Sequence, residues 1–198
     1  MKQMDVGRVE MAPIVDLVDS QIIASVKKES DLEKAINSTA NVVFLLTGNL
    51  MNIKDYVSKL KKHDKVVFIH LDFIDGISNN KSAVQYIARV CRPTGIITTK
   101  SNLIKYAKEE NLLTILRLFL IDYAALNKGI DVINSCKPDA VELLPGVIPK
   151  IIDHLEKILP MPIIAGGLIS NKEEILEALS AGALAVSSGS PNLWSIDL

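Results

Sequence analysis

Pro162-Ile163-Ile164-Ala165-Gly166-Gly167-Leu168-Ile169 and, one unit later, Leu184-Ala185-Val186-Ser187-Ser188-Gly189-Ser190 have the same format: an apolar run that opens into a glycine turn. The apolar residues follow one another without alternation, the pattern of a strand buried on both faces, as in a parallel sheet covered by helices. Working towards the N-terminus, the same kind of run recurs at Ala140–Leu143, Leu112–Arg117, Gly95–Thr98, Val66–His70, Val42–Leu46 and Ile22–Val26. With Pro162–Ala165 and Leu184–Ser187 this gives eight strand candidates, the number a closed barrel requires at a repeat of roughly 20 to 25 residues.

The intervening segments carry helix signals. Asn52–Leu60, Asn79–Ala88, Ser101–Lys108, Asp122–Asn134 and Val147–Ile158 space apolar residues at three and four, which puts them on one helical face. Ser30 with Glu33, and Ser170 with Glu173, have the offset of a capping box, in which each side chain satisfies a free backbone N–H of the first turn. The helix after Ser170 is expected to stop at Ala181-Gly182, where glycine takes the left-handed cap conformation. The expected fold is therefore a single-domain α/β (β/α)8 TIM barrel over residues 1–198, with a parallel closed sheet. A doubly wound sheet is the structural rival and explains eight compact units less well.

Composition sets the outer limits. The chain is 48% hydrophobic and 23% charged with a mean hydropathy of +0.27, suited to a folded interior and not to disorder. Its 22 Lys and Arg against 23 Asp and Glu argue against a surface basic all over, while leaving room for a local basic patch. Cys91 and Cys136 form neither a disulfide framework nor a zinc pattern, so a cytoplasmic setting is expected. Met1–Val9 has no hydrophobic signal core, and no apolar run reaches the roughly 20 residues of a membrane span. Asp5, Arg8 and Glu10 precede the first strand and are placed at the barrel bottom, with no role assigned.

In a parallel barrel the C-terminal strand ends share one surface. The sharpest signal there is the pair of terminal glycine loops. Glycine lets backbone N–H groups converge on an anion, serine hydroxyls add donors, and a short helix starting near Ser190-Pro191-Asn192 presents its positive end. This is the standard phosphate-binding site after strands 7 and 8, here Gly166, Gly167, Ser187, Ser188 and Gly189. Glycines that only allow close helix packing are the bland alternative. Asp72 and Glu142 have three open roles: holding the hydroxyls of a small polyol, acting as acid or base, or pairing with Arg117 and Lys100. Arg117, flanked by Leu116 and Leu118, needs a carboxylate partner if buried. His70 reads as a hydrogen-bonded core histidine, sharing a strand face with Asp72 if the strand runs on. No metal set, cofactor motif or catalytic residue stands out, and the GxGxxG dinucleotide fingerprint is absent.

Several stretches in order then carry a resemblance. His70-Leu71-Asp72-Phe73-Ile74-Asp75-Gly76-Ile77, Pro93-Thr94-Gly95-Ile96-Ile97-Thr98-Thr99-Lys100, Arg117-Leu118-Phe119-Leu120-Ile121-Asp122, Val141-Glu142-Leu143-Leu144-Pro145-Gly146-Val147 and Ala165-Gly166-Gly167-Leu168-Ile169 together make the chain, from Ile22 onward, resemble the glycerol uptake operon antiterminator family. The resemblance implies a transcription regulator that binds glycerol 3-phosphate and acts on the leader messenger RNA of glycerol-utilisation genes so that a terminator fails to form. It implies that the phosphate lies on Gly166, Gly167, Ser188 and Gly189, and that Asp72, Arg117 and Glu142 line the rest of the mouth. RNA phosphates would meet either Lys100, Lys105 and Lys108 or Lys59, Lys61 and Lys62. Trp194 is expected to pack under the closing helix and not to stack on a base. A small phosphorylated polyol and leader RNA are thus the expected partners; no membrane is, and a homo-oligomer is compatible with the sequence. The alternative from another class is an enzyme acting on a small phosphorylated metabolite, with Asp72 or Glu142 as acid or base.

Overall fold

The computed structural model describes residues 12–198. The eight apolar runs become strands β1 (Ile22–Val26), β2 (Val42–Leu45), β3 (Val66–His70), β4 (Gly95–Thr98), β5 (Leu113–Phe119), β6 (Ala140–Leu144), β7 (Ile163–Gly166) and β8 (Ala185–Ser188). Every neighbouring pair is parallel, and β1 pairs with both β2 and β8, which closes the barrel in sequence order. The helices are α1 (Ile14–Leu17), α2 (Leu32–Ile36), α3 (Ile53–Lys61), α4 (Lys81–Tyr86), α5 (Ser101–Glu109), α6 (Tyr123–Cys136), α7 (Pro149–Glu156) and α8 (Lys172–Ser180). None of them is long and apolar enough to cross a membrane.

Strand alternation divides the apolar residues into two cores. Ile22, Ala24, Val43, Leu45, Val67, Ile69, Ile96 and Leu116 point outward and pack under the helices. Ile23, Val42, Phe44, Phe68, Ile97, Leu113, Ile115, Ala140, Ile164 and Ala185 fill the barrel itself, the layered interior expected of this architecture. Phe44 and Phe68 meet edge to face at 5.9 Å. Gly95 makes that possible, because a Cβ there would stand 2.5 Å from the Phe68 ring and 2.4 Å from the Leu113 carbonyl oxygen. Ile14 of α1 is buried against this inner core, with Leu17 beside it, and so plugs the barrel. Asp5, Arg8 and Glu10, placed at the barrel bottom from sequence, and the Met1–Val9 segment lie outside the described residues.

The caps differ in detail from the sequence reading. The expected Ser30–Glu33 box does not form: Glu29–Asp31 is a 3-10 turn, α2 has no side-chain cap, and Glu33 instead pairs with Lys59 of α3. At α8 the box is shifted by one residue. Asn171 Oδ1 accepts from the Glu174 backbone N–H at 2.9 Å, and the Glu174 carboxylate accepts from Ser170 N–H at 2.7 Å. The chain then turns at Gly182 with φ +100°, as the glycine stop requires. After β8 the last unit has only a 3-10 turn, Pro191–Leu193, where the sequence suggested a short helix. Trp194 beneath it is 1% exposed, and its Nε1–H donates to the Ser188 carbonyl at 2.7 Å. The expectation that this ring packs the closing segment holds.

Candidate functional site

The inner core ends one layer below the C-terminal mouth. Two residues beyond the inward apolar positions, the same alternation presents Ser25 on β1, His70 on β3, Arg117 on β5, Glu142 on β6, Gly166 on β7 and Ser187 on β8. A polar layer of this kind inside a barrel requires internal partners. Arg117 and Glu142 are in register on adjacent strands. Their side chains, 6% and 1% exposed, meet with Nε–H donating to Oε2 at 2.6 Å. The other carboxylate oxygen accepts from Ser187 Oγ–H, also at 2.6 Å. Gly166 leaves the space for this, since a Cβ there would come within 2.6 Å of Ser187 Oγ and 2.7 Å of Glu142 Oε1. Among the described hydrogen bonds Arg117 uses only its Nε; its terminal N–H groups make none with the described residues.

Above this triad opens a cavity of about 480 Å³. Arg117, Glu142 and Ser187 form its floor, Gly167 and Leu168 one wall, and Ser188, Gly189, Ser190 and Lys27 the other. The glycine loop after β7 is built on two consecutive left-handed residues, Gly167 at φ +75° and Leu168 at φ +62°. The second is uncommon for a leucine, and backbone strain of this kind collects at ligand sites. On the facing loop, a Cβ on Gly189 would stand 2.6 Å from Lys27 Nζ, so glycine is what lets the lysine lie across the turn. Lys27 is exposed and has no ion-pair partner among the described residues. The cavity thus has two chemically different ends: a cationic, glycine- and serine-lined rim, and a floor with a carboxylate and a guanidinium.

Strands β3 and β4 build a separate polar cluster. β3 ends at His70, and Leu71–Phe73 is a 3-10 turn, so Asp72 does not share a strand face with His70 as a continuing strand would have allowed. Asp72 accepts from Thr98 Oγ1 at 3.2 Å and from Thr99 N–H at 2.8 Å, and it faces Lys100 at 3.7 Å. It does not line the cavity. His70 is fully buried but, contrary to the sequence reading, neither ring nitrogen has a hydrogen-bond partner among the described residues. Its Nδ1 stops 3.6 Å from the Asp72 carboxylate, and the ring stands edge-on to Phe73 at 4.6 Å. Burial holds the imidazole pKa down at about 3, the Arg117 charge adds to this, and Asp72 opposes both. His70 is therefore neutral at physiological pH.

Of the positions singled out from sequence, Gly167, Ser187, Ser188, Gly189, Arg117 and Glu142 converge on the cavity. Gly166 sits behind it as the spacer for Glu142, and Asp72 belongs to the β3–β4 cluster. Ser25 and Lys27 also line the cavity and were missed. The end of the first strand carries the same positional signal as the other seven, and applying the strand-end rule there would have found both. The lysines also separate. Lys59 is paired with Glu33; Lys61 and Lys62 line a groove on the outside of the barrel; Lys100 is paired with Asp72. Lys108 pairs with Asp139 at 3.6 Å, and Lys105 stays exposed on α5.

Comparison with known proteins gives this geometry a family. Residues 22–194 match the model of the "Glycerol-3-phosphate responsive antiterminator" family. The chain belongs to that family. Among solved structures, the glycerol uptake operon antiterminator regulatory protein from Listeria monocytogenes str. 4b F2365 superposes with a TM-score of 0.86 at 34% identity, covering 89% of this chain and 95% of that one. A glycerol uptake operon antiterminator-related protein from Thermotoga maritima MSB8 gives 0.78 at 33% identity, over 87% and 96% of the two chains. Among curated sequences, the uncharacterized protein YgcP of Escherichia coli (strain K12) is 33% identical over 93% of this chain and 97% of its own length. The matched range takes in all eight strands and both glycine loops, so the antiterminator family likeness spans the whole cavity.

Proposed function

We propose that the protein is a regulator that takes glycerol 3-phosphate into the cavity at the barrel mouth and, when loaded, acts on the leader messenger RNA of glycerol-utilisation genes so that transcription passes the terminator. The observation that carries this reading is the two-ended cavity in a chain of the antiterminator family. At one end the phosphate is bound by Lys27 and by the loops Gly167–Leu168 and Ser188–Ser190, where glycine backbone and serine hydroxyls supply donors without steric cost. At the other, the terminal N–H groups of Arg117 donate to the glycerol oxygens and Glu142 accepts from their hydroxyls. The two charges neutralise each other, so the floor reads a neutral polyol. A ligand lacking either half leaves one end unpaired, and unpaired buried polar groups are what make such sites selective.

Regulation follows from linkage. If the loaded protein binds RNA more tightly, RNA tightens ligand binding by the same factor. The strained Gly167–Leu168 turn is the part of the cavity with most to gain from a ligand that fixes it. The test is transcription in vitro through the leader terminator with purified protein. Readthrough that rises only when protein and glycerol 3-phosphate are both present supports the proposal; termination indifferent to the protein at saturating ligand refutes it.

A further inference from the structure

The groove outside the barrel has no role in the site above. It lies between α3 and the segment that follows α4, has a volume of about 760 Å³, and is lined by five cations: Lys54, Lys61, Lys62, Arg89 and Arg92. Among the described residues no acidic side chain lines it. On the α3 side, Lys54, Lys61 and Lys62 stand at i, i+7 and i+8, with Ser58 at i+4, which places them on a single helical face. On the other side, Ile87–Cys91 is a π-turn, closed by an Arg92 N–H bond to the Ile87 carbonyl at 2.9 Å, with Arg92 itself left-handed at φ +52°. This turn ends α4, as π-turns at helix C-termini do. Here the turn puts two arginines on the wall opposite the lysines.

Flanking helix contacts show what is missing. α2 and α3 are joined by Lys59–Glu33. α4 and its π-turn are joined to α5 by Lys81–Glu109 at 2.6 Å and Arg89–Glu110 at 2.9 Å. Between α3 and the π-turn there is no ion pair among the described residues; only Lys61 Nζ reaches across, to the Arg92 carbonyl at 2.9 Å. Arg89 is neutralised by Glu110, to which it donates through both Nε and a terminal nitrogen at 2.9 Å. The charge facing the groove therefore rests on Lys54, Lys61, Lys62 and Arg92, which have no ion-pair partner among the described residues. Like charges so placed repel unless an anion lies between them. In a chain whose formal net charge is -1, that concentration is local.

We infer that the α3/π-turn groove is where RNA phosphates dock, on a surface separate from the effector cavity. This rests on the antiterminator reading and adds the contact face to it. The lining favours nucleic acid over an acidic protein because, among the described residues, it offers only Val90 as an exposed apolar side chain, whereas protein interfaces centre on apolar and aromatic anchors. It contains no aromatic ring, so the groove holds backbone phosphates and does not stack bases. Lys61 and Lys62 belong to the expected basic stretch; Lys54, Arg89 and Arg92 complete the groove, and Lys59 falls outside it.

The test is fluorescence anisotropy with labelled leader RNA of the glycerol-utilisation operon, in the presence of glycerol 3-phosphate, at several salt concentrations. It compares wild type, the groove variant Lys54→Gln/Lys62→Gln, and the charge-matched control Lys128→Gln/Lys150→Gln; all four side chains are exposed. Each lost phosphate contact lowers the salt slope by about 1, so the groove variant should lose about 2 from the slope and bind roughly 5- to 10-fold more weakly per lysine near 0.1 M salt. The control should match wild type, and calorimetric binding of glycerol 3-phosphate should be the same in all three. An unchanged slope and affinity in the groove variant, or an equal loss in the control, overturns the groove while leaving RNA binding intact. Normal RNA binding by a groove variant that no longer antiterminates assigns the groove to a protein partner and also overturns it. A wild type that ignores RNA with and without ligand removes the antiterminator reading itself.

Discussion

Removing one member of the buried Arg117–Glu142 pair should be far more damaging than removing both. Arg117→Met leaves the Glu142 carboxylate 1% exposed with one hydroxyl donor, Ser187. The carboxylate already lies against Gly166 of β7, where an added Cβ would come within 2.7 Å of it. Two charges about 4 Å apart at an effective dielectric near 20 attract by about 4 kcal/mol, and breaking such pairs by single substitution typically costs about 3–5 kcal/mol. Urea unfolding with a slope of about 2 kcal/mol/M would show this as a midpoint lowered by roughly 2 M. Arg117→Met/Glu142→Gln replaces the pair with neutral groups of similar size and should recover most of the loss. A double variant whose destabilisation equals the sum of the two singles within about 0.5 kcal/mol would show the pair to be uncoupled, and the argument for a mutually neutralised floor would fall.

Two further outcomes follow from the same geometry. Lys27→Met removes a cation that has no ion-pair partner among the described residues, so affinity for a polyol phosphate should fall about 10- to 100-fold, the equivalent of one charge-assisted hydrogen bond, while the urea midpoint stays put; unchanged affinity in calorimetry would remove Lys27 from the site. His70 has a folded pKa of about 3 against an ordinary 6.5, so below pH 6.5 the unfolded chain takes up a proton that the folded one refuses. Its contribution to stability is complete above that pH and is lost as pH falls towards 3, at about 1.4 kcal/mol per unit. The stability difference between wild type and His70→Leu should accordingly shift against wild type by about 2 kcal/mol from pH 6.5 to pH 5; a difference independent of pH would mean that the buried ring is not held neutral.

The barrel was legible because burial on both strand faces leaves a direct imprint: eight continuous apolar runs, each within a residue or two of the strand found. Details settled by competition between neighbouring side chains were less so. Ser30 and Glu33 have the right offset for a capping box, yet Lys59 on the next helix competes for the carboxylate. Asn171 displaces Ser170 as the cap because its own Oδ1 reaches the Glu174 N–H. At the site, the terminal glycine loops and the Arg117–Glu142 pairing were readable from strand-end position and from the cost of burying an isolated guanidinium. Asp72 was not, because nothing in its sequence marks the 3-10 turn that directs it towards Thr98 and Thr99. The groove cations come from α3 and from a π-turn, whose extra residue shifts the helical register and hides their convergence from any pattern with a period of 3.6.

The central claim is that one cavity reads both halves of glycerol 3-phosphate, and calorimetric titration of the purified protein tests it most directly, with glycerol and inorganic phosphate titrated separately. The account predicts saturable one-site binding of glycerol 3-phosphate, with each fragment bound far more weakly and the signal lost in Arg117→Met/Glu142→Gln. Inorganic phosphate binding as tightly as glycerol 3-phosphate, or no binding by a protein shown to be folded, would contradict it.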